Sequence, residues 1–319
     1  MKVLLTGVAG FIGFHTAKTL LQQGHQVLGY DSVNDYYDPA LKRSRLALLQ
    51  QHTSFQFVQG ELEDREYLTA SWKKFQPSHI IHLAAQAGVR YSVTHPHTYI
   101  SSNIVGFQNI LELVRETKPE HFVYASSSSV YGSNKELPFS ESQHVEHPIS
   151  LYAMTKLANE LAARTYAHLY NIPATGLRFF TVYGPYGRPD MAMFSFCEKI
   201  LRNEKIPVFN HGKMFRDFTY IDDIVDGILR ALAKPERDAV YNLGRGKQEK
   251  LLKMIEIIET CLQTKAELDL LPLQAGDVES TSADIRLAQK NLGYAPKVTI
   301  EEGIPQFIHW YRTVYRAKA

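Results

Sequence analysis

Residues 2–13 read KVLLTGVAGFIG, and this stretch decides the fold. The apolar run Lys2–Thr6 predicts a buried parallel strand, and apolar residues with helical spacing predict a helix over Phe11–Gln23. The glycines that join the two elements are Gly7, Gly10 and Gly13. Glycine lets the backbone turn tightly and approach a pyrophosphate, whose charge is favoured by the free N–H groups of a helix N-terminus. The stretch therefore predicts a dinucleotide-binding loop, with an ordinary glycine-rich turn as the alternative.

The chain beyond this loop repeats the alternation of strand and helix. Apolar runs predict further strands over residues 26–30, 55–58, 79–83, 121–125 and 174–180, with helices between them. This order predicts an α/β fold with a doubly wound parallel (Rossmann) sheet. From about Tyr183 the alternation breaks down, which predicts a smaller C-terminal α/β substrate-binding region. We expect residues 1–182 to form the dinucleotide-binding domain and residues 183–319 most of the substrate-binding region, with a segment of about 211–245 returning to the first domain.

The composition is that of an ordinary globular enzyme. The 319 residues are 45% hydrophobic and 21% charged, and 35 basic against 33 acidic residues give a net charge of +2. This balance predicts neither nucleic-acid nor membrane-surface binding. Cys197 and Cys261 lie in predicted helices, far from any zinc-ligand spacing, so we expect reduced thiols and no metal site. Because the first strand begins at Lys2, we expect no leader peptide and a cytoplasmic protein.

Two further stretches fit a bound dinucleotide. Asp31 ends the second predicted strand, where a carboxylate accepts hydrogen bonds from the adenosine ribose hydroxyls and repels a 2′-phosphate. It therefore favours NAD over NADP, with a turn-capping aspartate as the alternative. Leu83, Ala84 and Ala85 follow the fourth predicted strand, and small residues there let the backbone pass beneath the cofactor.

The catalytic residues are predicted from a tyrosine, a lysine and a serine. Tyr152 and Lys156 are four residues apart on a predicted helix and therefore share one face. The charge of Lys156 lowers the pKa of the Tyr152 phenol, which then acts as a base near neutral pH. Ser127, in a serine run over residues 126–129, supplies a hydroxyl to the same reacting oxygen. The pair alone also fits a solvated lysine beside a half-buried tyrosine, but the glycine loop upstream favours catalysis.

With these motifs the chain resembles the nucleotide-sugar epimerases of the extended short-chain dehydrogenase/reductase superfamily. The resemblance covers nearly the whole chain and rests on the glycine loop, HLAA (82–85), SSSSVYG (126–132), Tyr152 with Lys156, RFFTVYGP (178–185) and RDFTYIDD (216–223). Within this family the chain is most similar to the UDP-glucuronate 4-epimerases. Their distinguishing stretches are NDYYD (34–38), AAQAGVR (84–90) and GRPDM (187–191).

The resemblance implies an epimerisation with bound NAD. Tyr152 takes the proton of the sugar 4-hydroxyl as a hydride leaves C4 for NAD⁺; the 4-keto sugar turns over, and the hydride returns to its opposite face. The resemblance also implies a homodimer, formed by the helices over residues 96–117 and 151–170. The cofactor-binding residues that it implies, besides the glycines, Asp31, Tyr152 and Lys156, are Phe11, Ile12, Glu61, Leu62, Leu83, Ala84, Ala85 and Asn103. Its uridine-diphosphate contacts fall on Phe209 for the uracil, Arg216 for phosphate and Asp277 for the ribose.

The choice of substrate depends on residues near the sugar. Oxidation at C4 of a hexuronate gives a β-keto acid that tends to lose carbon dioxide, so the enzyme must restrain the carboxylate. The expected donors are Ser128, Ser129, Thr181, Arg188 and Arg90. Related dehydratases and decarboxylases carry carboxylates at the places of Ser128 and Ser129, and without them those reactions lose their acid or base. The sequence therefore predicts an enzyme that interconverts UDP-glucuronate and UDP-galacturonate.

Two alternative functions also fit the sequence. A UDP-glucose or UDP-N-acetylhexosamine 4-epimerase shares the catalytic residues but does not need the donors for a carboxylate. An NAD-sensing protein without catalysis shares the fold, although such proteins typically lack the tyrosine or the lysine that this chain retains.

Overall fold

The computed structural model describes residues 1–274 and 276–316. The strands of this part of the chain are β1 (Lys2–Thr6), β2 (Gln26–Asp31), β3 (Phe55–Gln59), β4 (His79–His82), β5 (His121–Ser127), β6 (Ala174–Phe179), β7 (Thr181–Tyr183), β8 (Ile206–Val208), β9 (Phe215–Arg216), β10 (Phe218–Tyr220), β11 (Asp238–Leu243), β12 (Glu249–Lys250) and β13 (Leu268–Leu270). The helices are α1 (Phe11–Gln22), α2 (Pro39–Leu49), α3 (Arg65–Phe75), α4 (Tyr91–Thr94), α5 (Pro96–Tyr99), α6 (Gly106–Thr117), α7 (Leu151–Tyr170), α8 (Ala192–Leu201), α9 (Ile221–Leu232), α10 (Leu251–Leu262), α11 (Arg286–Leu292) and α12 (Ile300–Trp310).

The central sheet has the order β11-β6-β5-β4-β1-β2-β3, and all neighbouring strands in it are parallel. Its inner strands β1, β4, β5 and β6 are buried on both faces because helices cover both. Within β1, Val3 and Leu5 belong to one hydrophobic core and Leu4 to the other, as the alternation of side chains along a strand requires. This architecture confirms the predicted doubly wound parallel sheet.

The position of β1 in this sheet defines a crevice. The chain goes from β1 to β2 and β3 on one side and then crosses to β4 and β5 on the other. The connections that leave β1 and β4 therefore diverge, and a crevice opens beyond the carboxyl ends of these strands, where open α/β sheets bind their ligands. The glycine loop follows β1, and Ser127 ends β5, at this same edge of the sheet.

The chain after β6 builds smaller sheets beside this crevice. β7 pairs with β10, β9 with β12 and β8 with β13, each as a two-stranded sheet. β11 lies instead at the edge of the central sheet, next to β6. Helix α9 packs against α1 with an apolar face that includes Ile224 and Ile228.

One predicted helix differs from the structure. The sequence pattern predicts a continuous helix over residues 96–117, but a widened, π-type turn over Ile100–Val105 separates α5 from α6. Such a turn inserts one residue into a helix and often marks a functional position. Here it contains the buried Asn103.

Candidate active site

The glycine loop after β1 has the shape of a cradle for a phosphate group. Gly7 has a φ of +75°, and a Cβ atom on it would lie 2.7 Å from the backbone nitrogen of Ala84. A Cβ atom on Gly13 would lie 2.0 Å from the carbonyl oxygen of Gly7. Gly10 begins α1 without a side-chain cap, so the first N–H groups of the helix remain available to a ligand. The loop therefore requires glycine and presents backbone donors to an anion.

A single cleft brings most of the predicted site residues together. Its lining includes Gly7, Gly10, Phe11, Ile12, Gly13, Asp31, Glu61, Leu62, Leu83, Ala84, Ala85, Ser127, Tyr152, Lys156 and Arg188. These residues come from the ends of β1, β2, β4 and β5, from α1 and α7, and from the loops after β3 and β7. The cleft thus runs from the glycine loop to the tyrosine and lysine.

Asp31 lies at one end of the cleft and anchors the glycine loop. Its Oδ2 accepts from the backbone N–H of Ala9 at 3.0 Å and its Oδ1 from that of Val33 at 2.8 Å. Burial raises the pKa of Asp31, and these hydrogen bonds and the charge of Lys42 oppose the rise. Lys42, which sequence reasoning missed, lines the cleft and donates to the backbone oxygen of Asn34 at 2.8 Å.

Asn103 is buried and hydrogen-bonds two of the segments that line the cleft. Its Oδ1 accepts from the backbone N–H of Gln86 at 2.8 Å, and its Nδ2 donates to the Gln86 carbonyl at 3.0 Å and to Thr155 at 3.1 Å. It thereby joins the loop after β4 to α7. Its position is that of a brace for the loop 83–86.

The predicted catalytic residues meet where α7 passes the end of β5. Ser150 caps α7 by accepting from the N–H of Ala153 at 3.1 Å, which places Tyr152 in the first turn of the helix. The Lys156 Nζ donates to the carbonyl of Ala125 on β5 at 3.0 Å. Ser127 donates to the Ser129 hydroxyl at 3.1 Å and accepts from its N–H at 3.2 Å.

The electrostatics of the tyrosine and lysine follow from burial. Burial lowers the pKa of Lys156 to about 8, and the Glu160 carboxylate opposes this change. Burial raises the pKa of Tyr152, and the polar Ser127 hydroxyl and the charge of Arg188 oppose the rise. The sequence pattern predicts that Lys156 lowers the pKa of Tyr152, whereas in the structure Lys156 donates to the Ala125 carbonyl. Arg188 and Ser127 are the groups that favour the tyrosinate in this structure.

A buried ion pair beneath Lys156 was missed by sequence reasoning. Glu160, one helical turn after Lys156, accepts from Arg178 on β6 through both carboxylate oxygens, at 2.9 and 2.7 Å. Ser126 donates to Glu160 at 2.5 Å, and Arg178 also donates to the Tyr131 hydroxyl at 3.0 Å. The pair ties α7 to β5 and β6. The spacing of four from Lys156 was the only clue to it in the sequence.

The predicted carboxylate donors come from separate segments of the chain. Ser128 and Ser129 lie in a single turn directly after β5, and Thr181 begins β7. Of the five predicted donors, Arg188 is the one that lines the described part of the cleft. The Arg188 Nε and Nη2 donate to Asp190 at 3.0 and 2.5 Å, and Asp190 also accepts from the Tyr36 hydroxyl at 3.0 Å.

The predicted uridine-diphosphate contacts form a separate group. The Arg216 Nη2 lies 2.8 Å from Asp277 Oδ1, and the Arg90 Nη2 lies 3.8 Å from Asp277 Oδ2. The Arg90 guanidinium also lies 4.9 Å from the centre of the Phe209 ring. The structure thus brings Arg90, at the start of α4, together with Phe209, Arg216 and Asp277 of the smaller sheets and their loops.

Among residues 1–274 and 276–316, His, Cys, Asp and Glu side chains form no group of three or more that could hold a metal ion. The helices described over the same ranges include none with the length and apolar character needed to cross a membrane.

Comparison with known proteins identifies the family. Residues 3–244 match the NAD dependent epimerase/dehydratase family, and the chain belongs to it. A probable UDP-glucuronate 4-epimerase of Rhizobium meliloti is 44% identical over 99% of this chain and 98% of its own length. UDP-glucuronate 4-epimerase 4 of Arabidopsis thaliana is 46% identical over 99% of this chain and 76% of its own.

A solved structure agrees with these relatives. The UDP-glucuronic acid 4-epimerase of Bacillus cereus, in complex with UDP-glucuronic acid and NAD, matches with a TM-score of 0.93 and 33% identity. The match covers 99% of this chain and 100% of that one. The fold class and the family resemblance predicted from the sequence are confirmed.

Proposed function

We propose that this protein is a UDP-glucuronate 4-epimerase that interconverts UDP-glucuronate and UDP-galacturonate through a transient 4-keto sugar. The observation that carries the proposal is the convergence of Ser127, Tyr152 and Lys156 on one cleft that Arg188 also lines. Relatives that carry this activity in their names cover almost the entire chain. Serines at positions 128 and 129, where carboxylates would serve elimination or decarboxylation, favour epimerisation.

The cleft fits NAD as the bound cofactor. The glycine cradle and the free helix N-terminus suit a pyrophosphate, and Asp31 suits a ribose with two free hydroxyls. We propose that Phe11, Ile12, Glu61, Leu62 and the stretch 83–85 complete this site, and that Asn103 holds its floor. Bound NAD supplies a reversible acceptor of hydride.

The side chains around the sugar C4 handle the proton and the charge. Tyr152 holds the proton of the 4-hydroxyl oxygen in one half of the cycle and returns it in the other. Ser127 hydrogen-bonds the same oxygen. We propose that Lys156, protonated and held by the Ala125 carbonyl, adds its positive charge to the effect of Arg188 and Ser127 once NAD and the sugar occupy the cleft, and so favours negative charge on the phenol oxygen when the proton moves.

The remaining substrate contacts are proposals of the same kind. We propose that Arg188, Ser128, Ser129 and Thr181 hold the hexuronate carboxylate out of the alignment that leads to decarboxylation. Arg216 binds the diphosphate, Phe209 packs on the uracil, and Asp277 accepts from the uridine ribose. Arg90, which the sequence predicts as a carboxylate donor, lies beside Asp277 and Phe209, and we propose that it adds positive charge at the uridine diphosphate instead. On this view residues 1–182 form most of the NAD site, and residues 183–319 most of the UDP-sugar site.

We also propose a homodimer built on α7 and on residues 96–117, which comprise α5, the π-type turn and α6. Apolar side chains remain exposed on this side of the molecule, notably Val105, Leu161 and Leu169. Leu161 and Leu169 are eight residues apart and therefore share one face of α7. A second copy of the chain that covers this face would bury them.

The test of the proposed reaction uses purified protein and UDP-glucuronate, with no NAD added. We expect a product of unchanged mass that co-elutes with UDP-galacturonate. A product lighter by carbon dioxide would contradict the argument from Ser128 and Ser129. If no conversion occurs even after NAD is supplied, the proposed substrate is wrong, and UDP-glucose is tested next.

A further inference from the structure

Arg45 is a buried cation that the proposed reaction does not use. It belongs to the inward face of α2, which begins at Pro39 with Asp38 as its cap, and its exposed fraction is 0%. A charge in the protein interior is costly unless hydrogen bonds and opposite charges compensate it. The acceptors of Arg45 among the described residues are three carbonyls and one phenol, with no carboxylate. Its position therefore calls for an explanation in terms of what those acceptors hold.

The acceptors of Arg45 belong to three separate segments around the cleft. Nη1 donates to the carbonyl of Ala9 at 2.7 Å and to the Tyr37 hydroxyl at 2.6 Å. Nη2 donates to the carbonyl of Tyr186 at 2.6 Å and to that of Gly187 at 3.4 Å. One guanidinium thus joins the glycine loop, the stretch 34–38 and the loop that carries Arg188.

The glycine-loop end of this connection is fixed on both sides of one residue. Ala9 lies between Gly7 and Gly10; its N–H donates to Asp31 and its carbonyl accepts from Arg45. A dinucleotide that binds the N–H groups of this loop and the Asp31 carboxylate therefore affects the position of Ala9, the residue that Arg45 binds. Any ordering of the loop is transmitted to the guanidinium.

The other end of the connection has a strained backbone. Tyr186 has a φ of +59°, in the left-handed region that residues other than glycine seldom adopt. Its neighbour Pro185 is held by His15 of α1, whose Nε2 lies 2.9 Å from the Pro185 carbonyl. Arg188, two residues after Tyr186, lines the cleft. The Tyr186 and Gly187 carbonyls on Arg45 thus help set where Arg188 stands.

We infer that Arg45 is a positioning residue that couples the dinucleotide site to the sugar site. Binding at the glycine loop orders Ala9, Arg45 and the loop 184–190 together, so Arg188 is placed before the hexuronate arrives. By reciprocity, a sugar nucleotide that engages Arg188 tightens the binding of NAD by the same factor. The inference rests on the proposed function for its sugar ligand.

The test is the dissociation constant of labelled NAD, measured by equilibrium dialysis on nucleotide-free protein. The constant is determined alone, with saturating UDP, and with saturating UDP-glucuronate. For the unaltered chain we expect UDP-glucuronate to tighten NAD binding by about fivefold or more, the lower end of typical coupling between sites. UDP lacks the hexuronate that reaches Arg188, so it should leave the constant nearly unchanged.

Arg45→Met keeps the length of the side chain and removes every donor. In this variant UDP-glucuronate should leave the dissociation constant of NAD almost unchanged. Arg43→Met is the matched control, because Arg43 is exposed on the same helix, and it should retain the full effect. If Arg45→Met does not fold, Arg45→Lys replaces it; its single ammonium cannot reach all three segments, so the effect should shrink as well.

Several outcomes would overturn the inference. They are an unaltered chain in which UDP-glucuronate leaves NAD binding unchanged, a folded Arg45 variant that keeps the full effect, and an equal effect of UDP alone. Conversion of UDP-glucuronate is measured on the same preparations after NAD is supplied. If the unaltered chain forms no epimer, the proposed function fails; if it is active and the coupling is absent or survives in the variants, only the role of Arg45 fails.

Discussion

At the scale of single residues, we expect the Tyr152 hydroxyl to be needed for turnover but not for NAD binding. Removing its hydroxyl in Tyr152→Phe leaves the ring, which packs edge-on against Tyr99 with 6.1 Å between ring centres. We expect kcat to fall by about 10²–10⁴, the usual contribution of a positioned acid or base, with NAD binding nearly unchanged. Turnover assays and dialysis with NAD measure the two effects. Tyr170→Phe, at the exposed end of the same helix, is the control; a Tyr152 variant within tenfold of normal turnover would exclude its proposed role.

The pH dependence is set at the same scale, by the groups around Lys156. Its pKa is about 8, and Glu160 keeps it from falling further. His82 on β4 also faces Lys156, but burial lowers the pKa of His82 to about 3, so that ring is neutral at working pH. Loss of the Lys156 proton should therefore end activity as the pH rises through about 8.

Glu160→Gln tests this account. The variant removes the charge that raises the pKa of Lys156 and leaves Arg178 unpaired, and both changes favour deprotonation of Lys156. We expect the alkaline limb of the kcat profile to move to lower pH. Glu160→Gln with Arg178→Gln removes both charges and should move the limb less. Breaking a buried pair also costs about 3–5 kcal/mol of stability, so the profiles are measured below the unfolding temperature of each variant. An unmoved limb in a folded Glu160→Gln would contradict the role of Glu160.

At the scale of elements, the junction of β1 with α1 has no room for a methyl group. In Gly13→Ala the new Cβ would lie 2.0 Å from the carbonyl oxygen of Gly7, so the loop must shift. We expect NAD affinity to fall by tenfold or more and stability by about 1–3 kcal/mol, the usual cost of overpacking. Gly24→Ala, at the other end of α1, is the control for NAD affinity. Its Cβ meets open space, but its φ of +81° is strained for alanine, so it should lose about 1–2 kcal/mol of stability and keep its affinity for NAD. If dialysis shows equal NAD affinity in both variants, the glycine loop is not the cofactor cradle.

The elements also show which features of the structure can be predicted from the sequence. The strands of the central sheet and the pair Tyr152 and Lys156 were predicted because their patterns are local: apolar runs, glycine spacing, a separation of four on a helix. The π-type turn around Asn103 was missed, since its bonds to Gln86 and Thr155 reach other elements.

Long-range partners explain the remaining misses. Arg45 binds the Gly187 carbonyl across 142 positions of sequence, and Glu160 meets Arg178 across 18. An arginine or a glutamate on a helix shows its partner only when the chain is folded. For the same reason the opposition of Arg188 and Ser127 to the raised pKa of Tyr152 emerges only from the folded chain.

At the scale of the whole molecule, the exposed face of α7 argues for a second copy of the chain. Leu161 is 55% and Leu169 61% exposed, although leucine on a helix surface contributes most when covered. Val105, in the π-type turn of the other helical stretch that we propose for the interface, is 47% exposed. In the homodimer that we propose, these side chains meet their symmetry equivalents, so one substitution alters the interface twice.

Leu161→Glu places a carboxylate at the centre of that face. Two copies would bring two negative charges into an apolar interface, where an unpaired charge is costly, so we expect the variant to sediment as a monomer under conditions where the unaltered chain sediments as a dimer. Leu287→Glu is the matched control, because Leu287 is an exposed leucine on α11, and it should leave the mass unchanged. The cleft is built within one chain, so turnover should outlast dissociation if the monomer keeps its fold. A monomeric unaltered chain, or a Leu161→Glu variant that remains a dimer, would place the interface elsewhere or exclude it.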